Sequence, residues 1–371
     1  MEYRKHAGVK VSALGFGCMR FPTREDGRID EAEAFRMLDR AWARGVTYYD
    51  TAYPYHDGES ELVVGRWLAT KPREEVVLAT KLPVHLVKQP SDVERIFNEQ
   101  LEKLGTDYVD FYLLHAMGAE RWEIAKQNNI LATVSRLKAE GKIRKLGFSF
   151  HDEYPVFEEM VNAFDWDFCQ LQLNYMDVDE QAGLRGCRLA VAHGMTVSVM
   201  EPVKGGSLAS PPAEIMDRYR ALQPGWSAAS WALRWVSELP GVAVVLSGMT
   251  TMAQVEDNLD TFDTLRPLTD SERAAVAQAA ELYRARTVVP CTGCRYCMPC
   301  PVGVDIPGIF KIRNEGAVFD APASAKAAYG RMQPENRQTA CVRCGRCATL
   351  CPQHISIPEK LAEAHAYLTA E

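Results

Sequence analysis

The stretch Ser12–Arg20, SALGFGCMR, decides between the two fold classes that suit this chain. It has the pattern of a short buried strand followed by a glycine turn, which is also how a doubly wound dinucleotide-binding sheet begins. That sheet requires G-x-G-x-x-G, but Arg20 stands in the place of the third glycine, and no other segment supplies the pattern. The stretch therefore favours a closed (β/α)8 barrel over the open sheet.

Seven more apolar runs follow, and helical patterns separate them through the first 285 residues. The runs are continuous instead of alternating with polar residues, as expected for parallel strands that are covered on both faces. The predicted strands are Ser12–Gly17, Val46–Asp50, Val76–Lys81, Tyr108–His115, Lys145–Ser149, Phe168–Asn174, Thr196–Glu201 and Val242–Gly248. Eight strands that alternate with helices predict an α/β fold, a (β/α)8 TIM barrel over residues 1–285.

One helix has readable ends in the segment SDVERIFNEQLEKLG, residues 91–105. Ser91 lies three residues before Glu94, which is the pattern of a capping box and predicts that the helix begins there. Gly105 is the residue type that ends a helix in the left-handed conformation, so the helix is expected to end at this position.

The composition is that of a folded protein, since 47% of the 371 residues are hydrophobic and 25% are charged. The net charge of −7 argues against a nucleic-acid partner, because nucleic-acid-binding surfaces are basic. The N-terminal residues do not resemble a signal peptide, and no apolar run approaches the ~18 residues of a membrane span. We therefore expect a cytoplasmic protein that binds neither nucleic acid nor a membrane. In a reducing compartment, eleven cysteines favour metal binding over disulfides.

Eight of the cysteines form two ladders near the end of the sequence. The ladders consist of Cys291, Cys294, Cys297 and Cys300, and of Cys341, Cys344, Cys347 and Cys351. The second is C-x2-C-x2-C-x3-C-P, the spacing of bacterial ferredoxins that carry [4Fe–4S] clusters, and the first is one residue shorter in its last gap. The alternative is a pair of zinc sites with four cysteines each, but such sites usually pair two C-x2-C units and leave the following proline unexplained. The pattern predicts two [4Fe–4S] clusters in a ferredoxin-type domain over residues 286–371.

The resemblance to two-cluster ferredoxins implies how the ladders share their ligands. In such proteins the fourth cysteine of each run binds the other cluster. Cys351 would then join the first three cysteines of the first ladder, and Cys300 would join the first three of the second. The last gap of the first ladder is one residue shorter than in the ferredoxin pattern, so Cys300 is the ligand that departs from that pattern.

Four ionisable residues stand at or just after the predicted strand ends, and we call them the tetrad: Asp50, Tyr55, Lys81 and His115. In a barrel of this kind the reacting groups lie at the C-terminal ends of the strands. Each has a purely structural interpretation when it occurs alone, since a loop Tyr usually packs and a strand-end His is more often a hydrogen-bonded, partly buried residue than a catalyst. Four of them together at strand ends instead indicate a catalytic site.

The segments that carry the tetrad resemble the aldo-keto reductases, and the resemblance runs from about Val9 to Asn258. The matching segments are DTAYPY at Asp50–Tyr55, LATK at Leu78–Lys81, LLH at Leu113–His115 and LGFS at Leu146–Ser149. The resemblance implies an enzyme that reduces aldehydes and ketones with a nicotinamide cofactor and without a metal. Tyr55 would be the general acid, supported by Lys81 and Asp50 as an ion pair, and His115 would orient the carbonyl. An ammonium beside Tyr55 is expected to lower its pKa from the usual ~10.

The same resemblance implies a set of cofactor contacts. They are Gly17, Cys18, Met19 and Met200 at the nicotinamide, Ser149 and Gln170 at its carboxamide, and Gln254 and Asn258 on the adenine side. The basic residues that bind a 2′-phosphate in many relatives would fall at Gly248 and Gln254, and neither is basic. No preference between NADH and NADPH is therefore predicted.

The sequence as a whole predicts an oxidoreductase that transfers hydride between NAD(P)H and a small carbonyl or alcohol substrate. Its tail resembles a dicluster ferredoxin domain fused to such a barrel, and the clusters would serve one-electron transfer or structure. Because hydride carries two electrons, a flavin or a redox partner protein would link the two chemistries, although no motif indicates a flavin. The alternative is an electron-transfer or cofactor-sensing module whose barrel only docks or binds. That alternative predicts a damaged tetrad, whereas all four residues are present.

Overall fold

A computed structural model describes residues 1–291 and 293–370 of the chain. Its strands are β1 Tyr3–His6, β2 Val9–Ser12, β3 Leu14–Gly17, β4 Tyr48–Asp50, β5 Val77–Leu82, β6 Val109–Met117, β7 Ile143–Phe150, β8 Phe168–Gln172, β9 Thr196–Met200 and β10 Val242–Gly248. Strands β3 to β10 pair in parallel and close in the order β10-β3-β4-β5-β6-β7-β8-β9, which confirms the predicted TIM barrel. Every predicted strand overlaps one of these eight, with ends that differ by at most two residues.

The helices are α1 Glu31–Ala43, α2 Glu59–Leu68, α3 Pro90–Leu104, α4 Ala119–Gln127, α5 Ile130–Ala139, α6 Tyr154–Ala163, α7 Gly183–Ala192, α8 Ala213–Leu222, α9 Ala228–Ser237, α10 Met252–Asp263, α11 Asp270–Ala285, α12 Ile306–Val318, α13 Pro322–Arg331, α14 Arg346–Thr349 and α15 Ile357–Thr369. The predicted start of α3 at Ser91 is wrong, because Gln89 and Asp92 form the capping box and Pro90 takes the first helical position. The predicted end at Gly105 is confirmed, with φ of 62°. Within the described residues, no helix combines the length and the apolar character that crossing a membrane requires.

A β-hairpin that the sequence analysis did not predict precedes the barrel. Its strands β1 and β2 pair antiparallel. The side chain of His6 in this hairpin is fully buried and stacks on Phe111, with ring centroids 4.7 Å apart. Its Nδ1 lies 2.8 Å from Oγ1 of Thr196, the first residue of β9, so His6 packs at the N-terminal end of the barrel. Burial lowers the pKa of His6 to about 3.

His6 is expected to make the barrel less stable in mild acid. Its pKa in the folded state lies below the ~6.5 of an unfolded chain, so the unfolded state takes up the proton first. The stability that is present above pH 6.5 is then lost as the pH falls towards 3, by about 2 kcal/mol between pH 7.5 and 5.0. His6→Gln, whose amide can still hydrogen-bond Thr196, should lose about 2 kcal/mol less than wild type over this range, because only the share of His6 is removed. Urea unfolding at the two pH values, followed by tryptophan fluorescence, measures the difference.

The fluorescence signal in this experiment comes from the barrel part of the chain, because all seven tryptophans lie within Met1–Ala209 and Gly225–Arg273. His193 is an exposed histidine at the end of α7 and provides the control. His193→Gln should keep the wild-type dependence on pH. Equal losses of stability in wild type and His6→Gln would show that His6 does not titrate as its burial requires.

The chain divides into two compact units. The first comprises Met1–Ala209 and Gly225–Arg273 and contains the barrel. The second comprises Ser210–Pro224 and the chain from Ala274 onward, with an apolar core from α12, α13 and α15. Six of the eight ladder cysteines pack against that core. This division differs from the predicted boundary between residues 285 and 286, which stays a prediction.

Candidate functional site

A cavity of about 390 Å³ lies at the C-terminal ends of the barrel strands. Three tetrad residues line it, namely Asp50, Tyr55 and His115. Eight of the nine predicted cofactor-binding residues also line it: Gly17, Met19, Ser149, Gln170, Met200, Gly248, Gln254 and Asn258. The fold thus brings the predicted catalytic and cofactor residues to one cavity, at the end of the barrel where catalytic groups are expected.

The tetrad is held together by hydrogen bonds from Lys81. Its Nζ donates to Oδ1 of Asp50 at 2.6 Å, to the carbonyl oxygen of Thr51 at 2.8 Å and to the hydroxyl oxygen of Tyr55 at 3.1 Å. Lys81 is 0% exposed, whereas Tyr55 is only partly buried and reaches the cavity. All three hydrogens of the ammonium are therefore used, and one of them joins its charge to the phenol.

Burial governs the protonation of Tyr55 more strongly than Lys81 does. Removal from water raises the pKa of Tyr55, and the attraction of Lys81 offsets only part of that rise. The expected lowering of this pKa is therefore wrong, because it left out burial. Burial alone lowers the pKa of Lys81, but the contacts with Asp50 and Tyr55 outweigh burial and leave that pKa above its ordinary value. At neutral pH the site holds a protonated phenol beside an ammonium.

His115 lies beside Tyr55, with the ring centroids 5.9 Å apart in an edge-to-face arrangement. Burial is the main reason that the pKa of His115 lies well below its ordinary range. Nearby basic side chains lower it further, and Lys81 has the largest effect among them. A neutral imidazole carries one N–H that can donate. His115 is therefore suited to donate a hydrogen bond to a carbonyl oxygen in the cavity.

Tyr55 begins a short helical turn, Tyr55–Gly58, that has an unusual backbone. His56 and Asp57 both have positive φ, of 51° and 53°, a conformation that L-residues rarely adopt. The His56 ring ties this turn to the loop after β3, because its Nε2 accepts the backbone N–H of Phe21 at 3.2 Å. The loop that carries Tyr55 and the loop that carries Met19 are thereby held together.

A buried polar cluster fixes the strand that carries Lys81. Nε2 of Gln100 donates to the carbonyl oxygen of Lys81 at 3.0 Å and to Oε1 of Glu61 at 2.7 Å. Thr80 donates to the same Glu61 oxygen at 2.6 Å, and Tyr112 donates to Oε1 of Gln100 at 2.7 Å. The sequence analysis missed this cluster, because its members come from four different elements and carry no common spacing.

The cavity fits the carboxamide of a nicotinamide at Ser149 and Gln170. Oε1 of Gln170 is buried and has no hydrogen-bond partner among the described residues, and its Nε2 has only Sδ of Met200 at 3.6 Å. Oγ of Ser149 accepts the backbone N–H of Ala116 at 2.7 Å, which leaves its hydroxyl hydrogen for another acceptor. A primary carboxamide supplies the donor that Gln170 lacks and the acceptor that Ser149 can use.

Three of the predicted cofactor contacts are engaged elsewhere. Cys18 does not line the cavity, since it is fully buried and its backbone N–H donates to the carbonyl oxygen of Asp50 at 2.8 Å. Gln254 uses Oε1 to cap the start of α10. Asn258 donates from Nδ2 to Oγ of Ser247 at 2.6 Å. The structure therefore brings Gln254 and Asn258 to the cavity with part of their polar groups occupied, and does not bring Cys18.

Arg20 and a glycine loop are cavity residues that the sequence analysis missed. A Cβ built on Gly248 would lie 2.7 Å from Cγ of Arg20. The arginine side chain therefore passes beside Gly248, one of the two positions where many relatives have a basic residue for the 2′-phosphate. Gly205 and Gly206 also line the cavity, with φ of 62° and 99°; Oε2 of Glu201 lies 3.6 Å and Nη2 of Arg20 3.8 Å from the place of a Cβ on Gly205. The adjacent glycines were a signal, because successive backbone N–H groups in such turns can bind anions.

The two cysteine ladders surround two cavities within the second unit. One cavity is lined by Cys300, Cys341, Cys344 and Cys347 together with Cys297, and the other by Cys291, Cys294, Cys297 and Cys351. Each cavity thus takes a cysteine from the fourth position of the other ladder, as the resemblance to two-cluster ferredoxins implies. Among the described residues, no three His, Cys, Asp or Glu side chains are grouped around a single metal ion. Among the described residues that line these cavities, the metal-ligating side chains are all cysteines, which fits a cluster whose irons are held by separate thiolates.

Two family matches cover most of the chain. Residues 13–281 match the aldo/keto reductase family, and residues 290–356 match a 4Fe-4S dicluster domain. The uncharacterized oxidoreductase YqkF of Bacillus subtilis is 26% identical over 312 residues, which cover 75% of this chain and 96% of YqkF. The NADH-specific methylglyoxal reductase of Escherichia coli is 24% identical over 300 residues, which cover 69% of this chain and 90% of that enzyme.

Solved structures also resemble the chain. The holo form of the aldo-keto reductase AKR11C1 from Bacillus halodurans has a TM-score of 0.62 and 27% identity, covering 75% of this chain and 96% of its own. An aldo-keto reductase from Klebsiella pneumoniae in complex with NADPH has a TM-score of 0.62 and 25% identity, covering 75% and 95% respectively.

Proposed function

The chain belongs to the aldo/keto reductase family, and we propose that it transfers hydride between a nicotinamide cofactor and a carbonyl or alcohol substrate. The observation that carries this proposal is the 3.1 Å contact of Lys81 with Tyr55 at the wall of the cavity. The donor and acceptor left over at Ser149 and Gln170 support a nicotinamide in the same cavity. The NADH-specific relative and the neighbour solved with NADPH support this cofactor class without favouring either form.

Tyr55 is the proton donor in this proposal. When it is bound, the cofactor supplies a hydride to the carbonyl carbon. As negative charge develops on the carbonyl oxygen, Tyr55 gives that oxygen its phenolic proton, so that an alcohol forms and a phenolate remains. Lys81 stabilises this phenolate, and the raised pKa of Tyr55 keeps the proton on the phenol until then. His115 donates its N–H to the same oxygen and orients the carbonyl.

Arg20 and the glycine loop are proposed to bind the phosphates of the cofactor. The guanidinium of Arg20 lines the cavity close to Gly205 and beside Gly248. A guanidinium and a backbone N–H such as that of Gly205 are both suited to phosphate oxygens, whereas the N–H of Gly206 already donates to the carbonyl oxygen of Val203 at 3.0 Å. Arg20 supplies the positive charge that Gly248 and Gln254 lack.

The second unit is proposed to hold two [4Fe–4S] clusters, each bound by cysteines of both ladders. Such clusters supply one-electron transfer or structural support when they are bound. Six of the ladder cysteines pack against the core of this unit, so bound metal would also stabilise its fold. A redox partner protein is proposed for the case in which the clusters exchange electrons. The aldo/keto reductase match ends at residue 281 and the 4Fe-4S match begins at residue 290, which supports a domain boundary near residue 286.

A deuterium label tests the proposed hydride transfer. Cofactor that carries deuterium at the transferring C4 position is incubated anaerobically with the protein and an aromatic aldehyde, which has no exchangeable α-hydrogen. Mass spectrometry of the alcohol should find one deuterium on the carbinol carbon in nearly all of the product. Direct hydride transfer moves that atom together with its electron pair, whereas reduction by separate electrons and protons would deliver hydrogen from water.

The matched control is the same reaction in D2O with unlabelled cofactor, which should give an alcohol without deuterium on carbon. An unlabelled alcohol from the deuterated cofactor would contradict the proposal. It would instead favour an electron-transfer protein in which the clusters deliver single electrons.

A further inference from the structure

Basic side chains lie near His115, which lines the catalytic end of the cavity. Burial lowers the pKa of His115 most, and four basic residues lower it further: Lys81, His151, Arg121 and His85. His151 lines the cavity itself, and burial followed by the charge of Arg121 lowers its pKa as well. Lys81 is balanced by Asp50 at 2.6 Å. Of these four basic residues, Lys81 and Arg121 are permanently charged at neutral pH.

Arg121 has no acidic partner among the residues that the structure describes. It lies in the first turn of α4, and its Nη1 donates to the carbonyl oxygen of Ala116, the residue after His115. One such bond leaves most of the N–H groups of a guanidinium free. The carboxylate of Asp152, near the start of the same helix, accepts the backbone N–H groups of Ala119 and Glu153 at 2.8 and 2.7 Å.

The backbone places Arg121 beside the residues that would hold the reacting carbonyl. The N–H of Ala116 donates to Oγ of Ser149 at 2.7 Å, and the N–H of His151 donates to the carbonyl oxygen of Met117 at 2.9 Å. The ends of β6 and β7 are thereby tied together. Arg121 is bonded to the same turn through the Ala116 carbonyl oxygen. His115, Ser149 and His151 line the cavity, and Arg121 lies behind them, outside its lining.

Arg121 is only partly exposed and has N–H groups left over, so an anion bound there would gain charge-assisted hydrogen bonds. A Gln side chain at position 121 could donate a hydrogen bond to the Ala116 carbonyl oxygen without carrying a charge. The planar fork of Arg matches a carboxylate, which accepts two parallel N–H bonds. We propose that the substrate carries a carboxylate in addition to its reacting carbonyl, and that Arg121 binds this carboxylate. The inference rests on the proposed function, because it places the anion next to the carbonyl that Tyr55 and His115 would hold.

Two aldehydes of nearly the same shape test this inference. 4-Formylbenzoate carries the anion, and its methyl ester is the neutral counterpart. Wild type is expected to show a kcat/KM at least about 10-fold higher for the anion, mainly through KM, since hydrogen bonds to charged groups are the stronger kind. Arg121→Gln should lose that preference while its kcat/KM for the ester stays within about 2-fold of wild type.

Arg136→Gln is the matched control, because it removes the same charge from an arginine of α5 that pairs with Glu94 of α3 and with Glu140, the residue after α5. It should keep the wild-type preference for the anion. Equal kcat/KM values for the two aldehydes in wild type, or an equal loss for both in Arg121→Gln, would overturn the inference. A change that appears only as a shifted pH profile, the same for both aldehydes, would also overturn it and would assign Arg121 to the protonation of His115.

Binding of terephthalate separates this inference from the proposed function. This dianion has no carbonyl to reduce, so isothermal titration measures its affinity whether or not the protein turns over aldehydes. Its Kd should rise at least about 10-fold in Arg121→Gln and stay unchanged in Arg136→Gln. If neither aldehyde is reduced and this difference in Kd remains, the proposed function fails and the anion site stands. If both aldehydes are reduced and the Kd values are equal, the anion site fails and the function stands.

Discussion

Replacement of Tyr55 by Phe is expected to lower kcat for carbonyl reduction by about 10³-fold, the range in which general acids contribute. The phenyl ring keeps the shape of the side chain and removes the proton that the carbonyl oxygen requires. Lys81 keeps its bonds to Asp50 and to the carbonyl oxygen of Thr51, so the buried ammonium stays paired. Binding of NADH or NADPH, measured by fluorescence titration, should therefore stay within about 2-fold of wild type.

Tyr53→Phe is the control for this variant, because Tyr53 lies two residues earlier and does not line the cavity. Its hydroxyl donates to Oε1 of Glu99 at 3.0 Å, away from the tetrad. Tyr53→Phe should keep a kcat near that of wild type. If Tyr55→Phe kept more than about one tenth of the wild-type kcat, proton donation by Tyr55 would be ruled out and the catalytic assignment would have to change.

The crossed arrangement of the cysteine ladders predicts opposite results for two variants that each carry four serines. Changing Cys300, Cys341, Cys344 and Cys347 to Ser removes one complete set and leaves the other set intact. This variant should retain about four of the eight irons expected for two [4Fe–4S] clusters. Changing the whole second ladder, Cys341, Cys344, Cys347 and Cys351, breaks both sets. That variant should hold markedly less iron. Iron analysis and electron paramagnetic resonance of the anaerobic, reduced proteins measure the outcome.

Cys187→Ser provides the control for these variants, because Cys187 is buried in α7 and belongs to neither ladder. It should keep the iron content of wild type. If removal of the whole second ladder left the larger amount of iron, each ladder would hold its own cluster. Zinc in place of iron in the wild-type protein would contradict the cluster assignment altogether.

The barrel strands could be predicted because each is a continuous apolar run that is covered on both faces. The hairpin before the barrel could not be predicted in this way, since YRKH and VKVS are four residues long and carry charged side chains. The start of α3 was missed for a local reason. Asp92 completes the capping box with Gln89, an uncommon capping residue, while Pro90 fixes the first helical position.

The grouping of the tetrad could be predicted because its four residues stand at or just after the ends of successive barrel strands, which meet at one end of the barrel. Arg20 could not, because its place beside Gly248 exists only once β3 pairs with β10, with Leu14 opposite Val245. The protonation of Tyr55 was beyond the sequence for a similar reason. A neighbouring lysine can be read from the sequence, whereas the degree of burial depends on how the loops close over the site.

The shared cysteine cavities bear on how the protein is made. Cys341 follows Cys300 by 41 positions, so the first ladder is translated before the second. The barrel residues come earlier still and can fold while synthesis continues. Each cavity is lined by cysteines from both ladders, so neither of the proposed clusters could receive all its ligands during that interval. We therefore expect metal insertion to be a late step of maturation, and a nascent chain that stops between the ladders to hold a folded barrel and no complete set of cluster ligands.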